Sequence, residues 1–275
     1  MKRIVKLSIW CIMSSLVLAF VCILFLRRIP MTMCLTFDDA CKAQATVAAP
    51  CLERHGWRGV FNVVTGRIES DKSLCPQMSW ADIEMLHKAG HEIYPHSYMP
   101  DPESKTFSHY NLKALSDLGL TNEIERQVVE AKKQILQKIG VDCKFFCLPF
   151  NACDARVSGI IRANGMEPMN CSRRNFPTHP NREPISISRY VKNEFRKGTC
   201  HIDIMMHGIV RQDGGWEPFD DAEHFERFCD ELKCVEDEGL VRIVSYSSSH
   251  PQCSLLSRVL KKVRRVAFSC WPMSL

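Results

Sequence analysis

Met33-Cys34-Leu35-Thr36-Phe37-Asp38-Asp39-Ala40 is the stretch on which the reading of this chain turns. An uninterrupted apolar run of strand length ends in two adjacent carboxylates, the pattern of a buried strand that delivers acidic side chains at its C-terminal end. Successive side chains on a strand point to opposite faces, so Asp38 and Asp39 are expected to diverge and to do different jobs. One suits a metal ion and the other a proton, as metal-assisted hydrolysis requires. The plainer alternative is a pair of solvated turn residues, since Asp is common just after a strand.

Upstream of this stretch, Lys2, Arg3 and Lys6 precede an uncharged apolar run over 7–26, which Arg27 and Arg28 close. About twenty apolar residues cross a bilayer as one helix, and no small-residue cleavage site precedes Pro30. The expectation is a signal anchor over 1–28, with a cleaved signal as the alternative, preceding an exported domain (periplasmic or extracellular) over 29–250. The tail over 251–275 spaces Leu256, Val259, Leu260, Val263 and Val266 at helical intervals, with Arg258, Lys261, Lys262, Arg264 and Arg265 between them. That pattern suits a basic helix on an anionic membrane surface, or a terminal helix docked on the domain.

The 275 residues, 45% hydrophobic and 24% charged, suit one globular domain plus an extra segment. The net charge of +5 is mild and partly owed to the two ends, so no nucleic-acid partner is expected. Fifteen cysteines are scattered without a CxxC pair or a zinc-type ladder. Cys34, Cys143 and Cys147 fall inside apolar runs, where a free thiol behaves as a small core residue.

Downstream, strand-like and helix-like segments alternate. Residues 41–55 read as a helix, 59–64 as a strand, and Ser79 as the N-cap of a helix that Gly90 stops. A short strand over 92–94 and a long helix from Thr121 to near Gly140 follow. Later strands are expected over 144–148, 185–190, 202–206 and 240–245, with helices over 155–163 and 222–234. Strand-then-helix repetition predicts parallel strands in one sheet or barrel, with the chemistry at the C-terminal strand ends. His96 and Ser97 follow one strand, Pro149 and Phe150 another, His207 and Gly208 a third. One histidine at such a place is usually structural, but three coincidences at the same end of one sheet argue for a site.

Leu35-Thr36-Phe37-Asp38-Asp39, then Gly90-His91-Glu92-Ile93 leading to His96-Ser97, then Leu148-Pro149-Phe150, then Met206-His207-Gly208 resemble, in that order, the polysaccharide deacetylases of carbohydrate esterase family four. The resemblance implies an α/β fold, a distorted (β/α) barrel of seven or eight strands, here preceded by the transmembrane helix. It implies a hydrolase that removes N-acetyl groups from an N-acetylglucosamine-type polysaccharide. Asp38 matches the general base, Asp39 and His96 two metal ligands, and His207 the acid that protonates the leaving amine. The family's third ligand stands four residues after His96, where this chain has Pro100. Ser108-His109-Tyr110-Asn111-Leu112-Lys113 resembles the family's continuation, as though 99–107 were inserted, which makes His109 the third ligand. The ion implied is a divalent metal, zinc first, with cobalt, nickel or iron as alternatives. Pro149 and Phe150 match positions that line the sugar, Trp216 either joins them or packs on its own domain, and a backbone N–H near Phe150 would face the oxyanion.

The chain also departs from the pattern. Cys147 stands where many members carry an arginine that orients the base, so nothing evident tunes Asp38. Ala40 stands where the family has glycine. Asp203 either orients a histidine or faces solvent, and His179, His201 and His224 read as surface residues. Two other functions stay open: a catalytically degenerate glycan-binding module, and a hydrolase of another amide or of an O-acetyl ester. The expected partners are an acetylated polysaccharide and, through the N-terminal helix, a membrane.

Overall fold

The computed structural model describes residue 13 and residues 29–68, 76–98, 111–169, 173–175, 186–210, 219 and 221–249. Eight parallel strands lie among them: β1 (Met31–Asp38), β2 (Val60–Val63), β3 (Glu92–Pro95), β4 (Phe145–Phe146), β5 (Glu167–Pro168), β6 (Arg174–Asn175), β7 (His201–Met206) and β8 (Val241–Ile243). β1 is central. Its apolar run is buried along nearly its whole length, as expected of a parallel strand covered on both faces. β7 pairs with it from Thr32 to Phe37 on one side. On the other side β2 takes the upper end, from Thr36 to Asp38, and β8 the foot, from Met31 to Met33.

The sheet continues through β3, and the Cys147 N–H donates to Pro95 O at 2.9 Å to carry the arc on to β4 and its partner β5. Around the arc the order is β6, β7, β1, β2, β3, β4, β5. The fold is therefore α/β with parallel strands, as expected, but among the described residues the ladder is not closed into a barrel. β4, β5 and β6 are two residues each, too short to sustain a ladder around that side.

The helices follow from capping and spacing. Ser79 and Asp82 form a reciprocal capping box at the start of the helix Trp80–Lys88. Helix Thr121–Ile139 stops where Gly140 takes a left-handed φ of +73°. Helices Ala155–Ala163 and Ala222–Asp237 fall where expected. The strand expected over 185–190 is instead the start of a helix, Ile187–Arg196. Ile185-Ser186-Ile187-Ser188 mimics the period of a strand, but Ile187, Val191, Glu194 and Phe195 recur at helical spacing and are buried on one face.

Phe37 stacks on Phe61 at 5.0 Å between centroids and meets Phe225 edge-on, joining β1, β2 and the helix Ala222–Asp237 in one core. Cys34, Cys143 and Cys147 are buried in it as free thiols, as expected. Among the described residues no helix is long and apolar enough to cross a membrane. The expected anchor, apart from Met13, and the tail from 250 onward lie outside the described residues.

Candidate active site

The C-terminal ends of β1, β2, β3, β4 and β7 bring together the residues singled out by the sequence. Asp38 ends β1 with its side chain 1% exposed. Its Oδ1 accepts from Asn62 Nδ2 at 2.7 Å, from Arg173 Nη1 at 2.8 Å and, more weakly, from Cys147 Sγ at 3.8 Å. Asn62 is its register partner on β2. Burial works to raise the Asp38 pKa, but the Arg173 charge and hydrogen bond, with His96 and His207 nearby, outweigh it. The carboxyl is held far below the usual range and is ionised throughout the working range of pH.

His96 follows β3 and is 1% exposed. Its Nδ1 lies 3.1 Å from the Cys147 carbonyl, which fixes the ring with Nδ1–H as the donor. Nε2 then faces two carboxylate oxygens, Asp38 Oδ2 at 3.8 Å and Asp39 Oδ1 at 4.0 Å. Burial lowers the His96 pKa more than the two carboxylates raise it, so the ring is neutral near pH 7.

Strand alternation predicts that Asp38 and Asp39 point apart, yet both reach the same imidazole nitrogen. Asp39 has already left the strand: its φ is +76°, and Ala40 follows at +55°. The left-handed pair turns the chain and swings the second carboxylate back toward the first. Five non-glycine residues have positive φ among the described residues: Asp39, Ala40, Ser97, Phe150 and Asn151. All follow β1, β3 or β4 on the side of the sheet that holds the carboxylates. Backbone strain of this kind gathers where a site is over-determined by its surroundings.

A metal ion fits this geometry. Two zinc ligands in tetrahedral array, each about 2.0–2.2 Å from the ion, stand roughly 3.4 Å from one another. The 3.8 and 4.0 Å gaps from His96 Nε2 are too long for hydrogen bonds and close to that ligand spacing. The carbonyl that fixes Nδ1 is the usual support of a ligating histidine. Cys147 Sγ also lies within ligand reach of Asp38 and His96. Among the described residues Asp38, His96 and Cys147 form the one cluster of donors within ligand distance of one another, and Asp39 joins it through its 4.0 Å approach to His96. Asp38 Oδ1 is already occupied by Arg173 and Asn62, and burial pushes the Cys147 thiol well up, against the thiolate a metal needs. Arg67 Nη1 lies 3.7 Å from Asp39 Oδ1, the same oxygen that faces His96.

The remaining expectations divide. His207 follows β7, is half-buried and is close enough to help depress the Asp38 pKa. Pro149 is buried in the turn Pro149–Asn151, and Phe150 stands 57% exposed in the same turn. His109 and Trp216 lie outside the described residues. Asp203 does orient a histidine, but it is His201, at 2.9 Å, near the opposite end of β7. His201 in turn meets Thr32 Oγ1 at 2.7 Å, so it is tied down rather than a loose surface residue.

Three residues escaped the sequence reading. Arg173 supplies the tuning cation that Cys147 does not. It also reaches Thr36 Oγ1 at 3.2 Å and Asn151 Oδ1 at 3.1 Å, and its own pKa is raised: burial lowers it, but Asp38 more than offsets this. It sits just before a two-residue strand with no periodicity to reveal it. Asn62 was signalled only as a polar residue inside an apolar strand. Gln44, wholly buried, donates from Nε2 to the Asp38 carbonyl at 2.6 Å and to the His207 carbonyl at 2.5 Å.

A parallel α/β sheet thus gathers paired aspartates and a histidine, candidate metal ligands among them, at the C-terminal ends of its strands. The family model for polysaccharide deacetylases matches residues 28–169, and the chain belongs to that family. No curated protein matches it. Among solved structures it is similar to a CE4 family pseudoenzyme from Bacillus anthracis (17% identity, TM-score 0.56, covering 80% of this chain and 65% of that one). The Xyl-CE4 domain of a multidomain xylanase from the hindgut metagenome of Trinervitermes trinervoides is similar at 18% identity and TM-score 0.53, over 80% and 89% of the two chains. Peptidoglycan deacetylase PdaC from Bacillus subtilis is similar at 16% identity and TM-score 0.54, over 86% and 94%. The chain thus spans about two thirds of the pseudoenzyme and most of the other two. At these identities the likeness shows the fold.

Proposed function

We propose that this chain is a metal-dependent deacetylase that removes acetyl groups from the N-acetylated sugars of a polysaccharide. The observation that carries the reading is His96 Nε2, which is buried, neutral and aimed between Asp38 and Asp39 with its other nitrogen pinned. Asp39 and His96 would hold the ion, with His109 as the third ligand. Zinc suits a set of two imidazoles and a carboxylate. When bound, the ion supplies Lewis acidity toward the acetamide carbonyl and the attacking water.

Everything else falls to the chain itself. Arg173 and Asn62 occupy Asp38 Oδ1, which leaves Oδ2, on the side of His96, to take the proton from the attacking water. His207, on the neighbouring strand, gives a proton to the departing amine. Phe150, left exposed on a strained turn, offers a face to the sugar ring. Acetate and a free amino sugar are the products. The apolar run over 7–26 supports placing the domain outside a membrane and tethered to it.

One observation favours a second reading, a glycan-binding module without catalysis. The position four residues after His96, where the resembling family carries its third ligand, is Pro100. Acetate release from chitin-like, peptidoglycan and exopolysaccharide oligomers, in the presence of zinc, decides between the two. The deacetylase reading predicts release by wild type and a fall of about 10²- to 10⁴-fold in Asp38→Asn and in His207→Ala. Glycan binding with no acetate from any of these substrates overturns it.

A further inference from the structure

We propose that Gln44 is a positioning residue, which sets the spacing between the base Asp38 and the acid His207 by tying the ends of their two strands together. The proposal rests on the deacetylase reading for its kinetic test, but its geometry stands apart from that reading.

The β1–β7 ladder runs in register from Thr32↔His201 to Phe37↔Met206. The next pair would be Asp38 and His207. The ladder's register ends one pair short of it, where Asp39 and Ala40 turn β1 with positive φ. The Gln44 carboxamide takes the place of a further rung. Its Nε2 has two hydrogens and two acceptors, the carbonyls of Asp38 at 2.6 Å and His207 at 2.5 Å. This also fixes the amide orientation, since the oxygen facing two carbonyls would be repelled.

The local backbone is shaped to deliver this side chain. Gln44 opens a π-helical turn, Gln44–Ala48, in which the Ala49 N–H reaches back to Gln44 O across five residues. Single π turns inside helices are rare and recur at functional sites. An ordinary α-helical start would be the less strained choice for Gln-Ala-Thr-Val-Ala. The side chain is 0% exposed, so substrate cannot touch it directly. It acts through the two residues whose carbonyls it holds, at the ends of the adjacent strands β1 and β7 where base and acid must stand at a fixed separation.

Gln44→Met keeps the length and removes both hydrogen bonds. In a folded enzyme the expected effect is a fall in kcat of about 10- to 100-fold with KM changed less than about twofold, the signature of misplaced catalytic groups. A purely structural role would lower the melting temperature and leave kcat of the folded fraction intact. The sharper readout is non-additivity: in a His207→Ala background, Gln44→Met should cost less than about threefold, because the group it positions is gone. Full, additive losses in the double variant, or unchanged kcat in Gln44→Met, overturn the proposal. If Gln44→Met does not fold, Gln44→Asn, one methylene too short to reach both carbonyls, carries the same comparison. If wild type releases no acetate, the deacetylase reading fails on its own. A crystal structure of the variant then judges Gln44: an unchanged separation of Asp38 and His207 overturns the role, and splayed strand ends support it.

Discussion

Arg173 Nη1 lies 2.8 Å from Asp38 Oδ1, and both side chains are 1% exposed. A buried guanidinium and carboxylate in contact are strongly interdependent, because either one alone would be a bare charge in the core. Arg173→Met should therefore destabilise the metal-free protein by about 3–5 kcal/mol at pH 7. The cost should shrink toward acid pH. Asp38 has a depressed pKa in the folded state. The pair's contribution is present above the unfolded carboxyl value of about 4 and is lost as pH falls through the folded value. In the variant the buried Asp38 can escape by protonating, which it does at low pH. Urea unfolding of both proteins at pH 7 and pH 4 checks this: wild type keeps the pair at both values, so the narrowing comes from the variant's protonated Asp38, and an equal difference contradicts it.

Ala40 stands, with φ +55°, where the resembling family has glycine. Ala40→Gly relieves about 1–2 kcal/mol of left-handed strain. It gives back about 0.4–1 kcal/mol in unfolded-state entropy and about 0.8 kcal/mol of buried methyl. The expected change in stability is within about 1 kcal/mol of zero. Ala40→Val adds a branched side chain at a wholly buried, left-handed position and should cost more than about 3 kcal/mol. Denaturant midpoints for the two variants check the contrast, and a well-tolerated valine would mean that the turn is not as tight as its φ indicates.

The Cys147 backbone carbonyl supports His96, while its thiol only brushes Asp38 Oδ1 at 3.8 Å. Cys147→Ser keeps the carbonyl, so zinc affinity should stay within about threefold of wild type, short of the 10- to 100-fold that loss of a ligand's support costs. Titration with zinc measures it. A loss beyond that range would put the thiol among the ligands, beside Asp38 and His96.

Much of the site was legible because its chemistry sits where parallel strands end. Asp38, Asp39, His96 and His207 could be placed from apolar runs that stop at polar residues. What escaped was set by backbone angles and by contacts distant in sequence. The convergence of Asp38 and Asp39 depends on a left-handed Asp39 that no side-chain alternation announces. Arg173 reaches Asp38 across 135 residues from a segment with almost no ladder of its own. The helix Ile187–Arg196 was masked by four residues that alternate like a strand before the 3.6-residue period establishes itself.

Zinc binding by calorimetry, on wild type, His96→Ala and Asp39→Ala, tests the central claim most directly. The account predicts about one equivalent in wild type and at least a tenfold loss of affinity in each variant. Wild type that binds no zinc, or zinc bound undiminished without the His96 imidazole, would contradict a metal centre between β1 and β3.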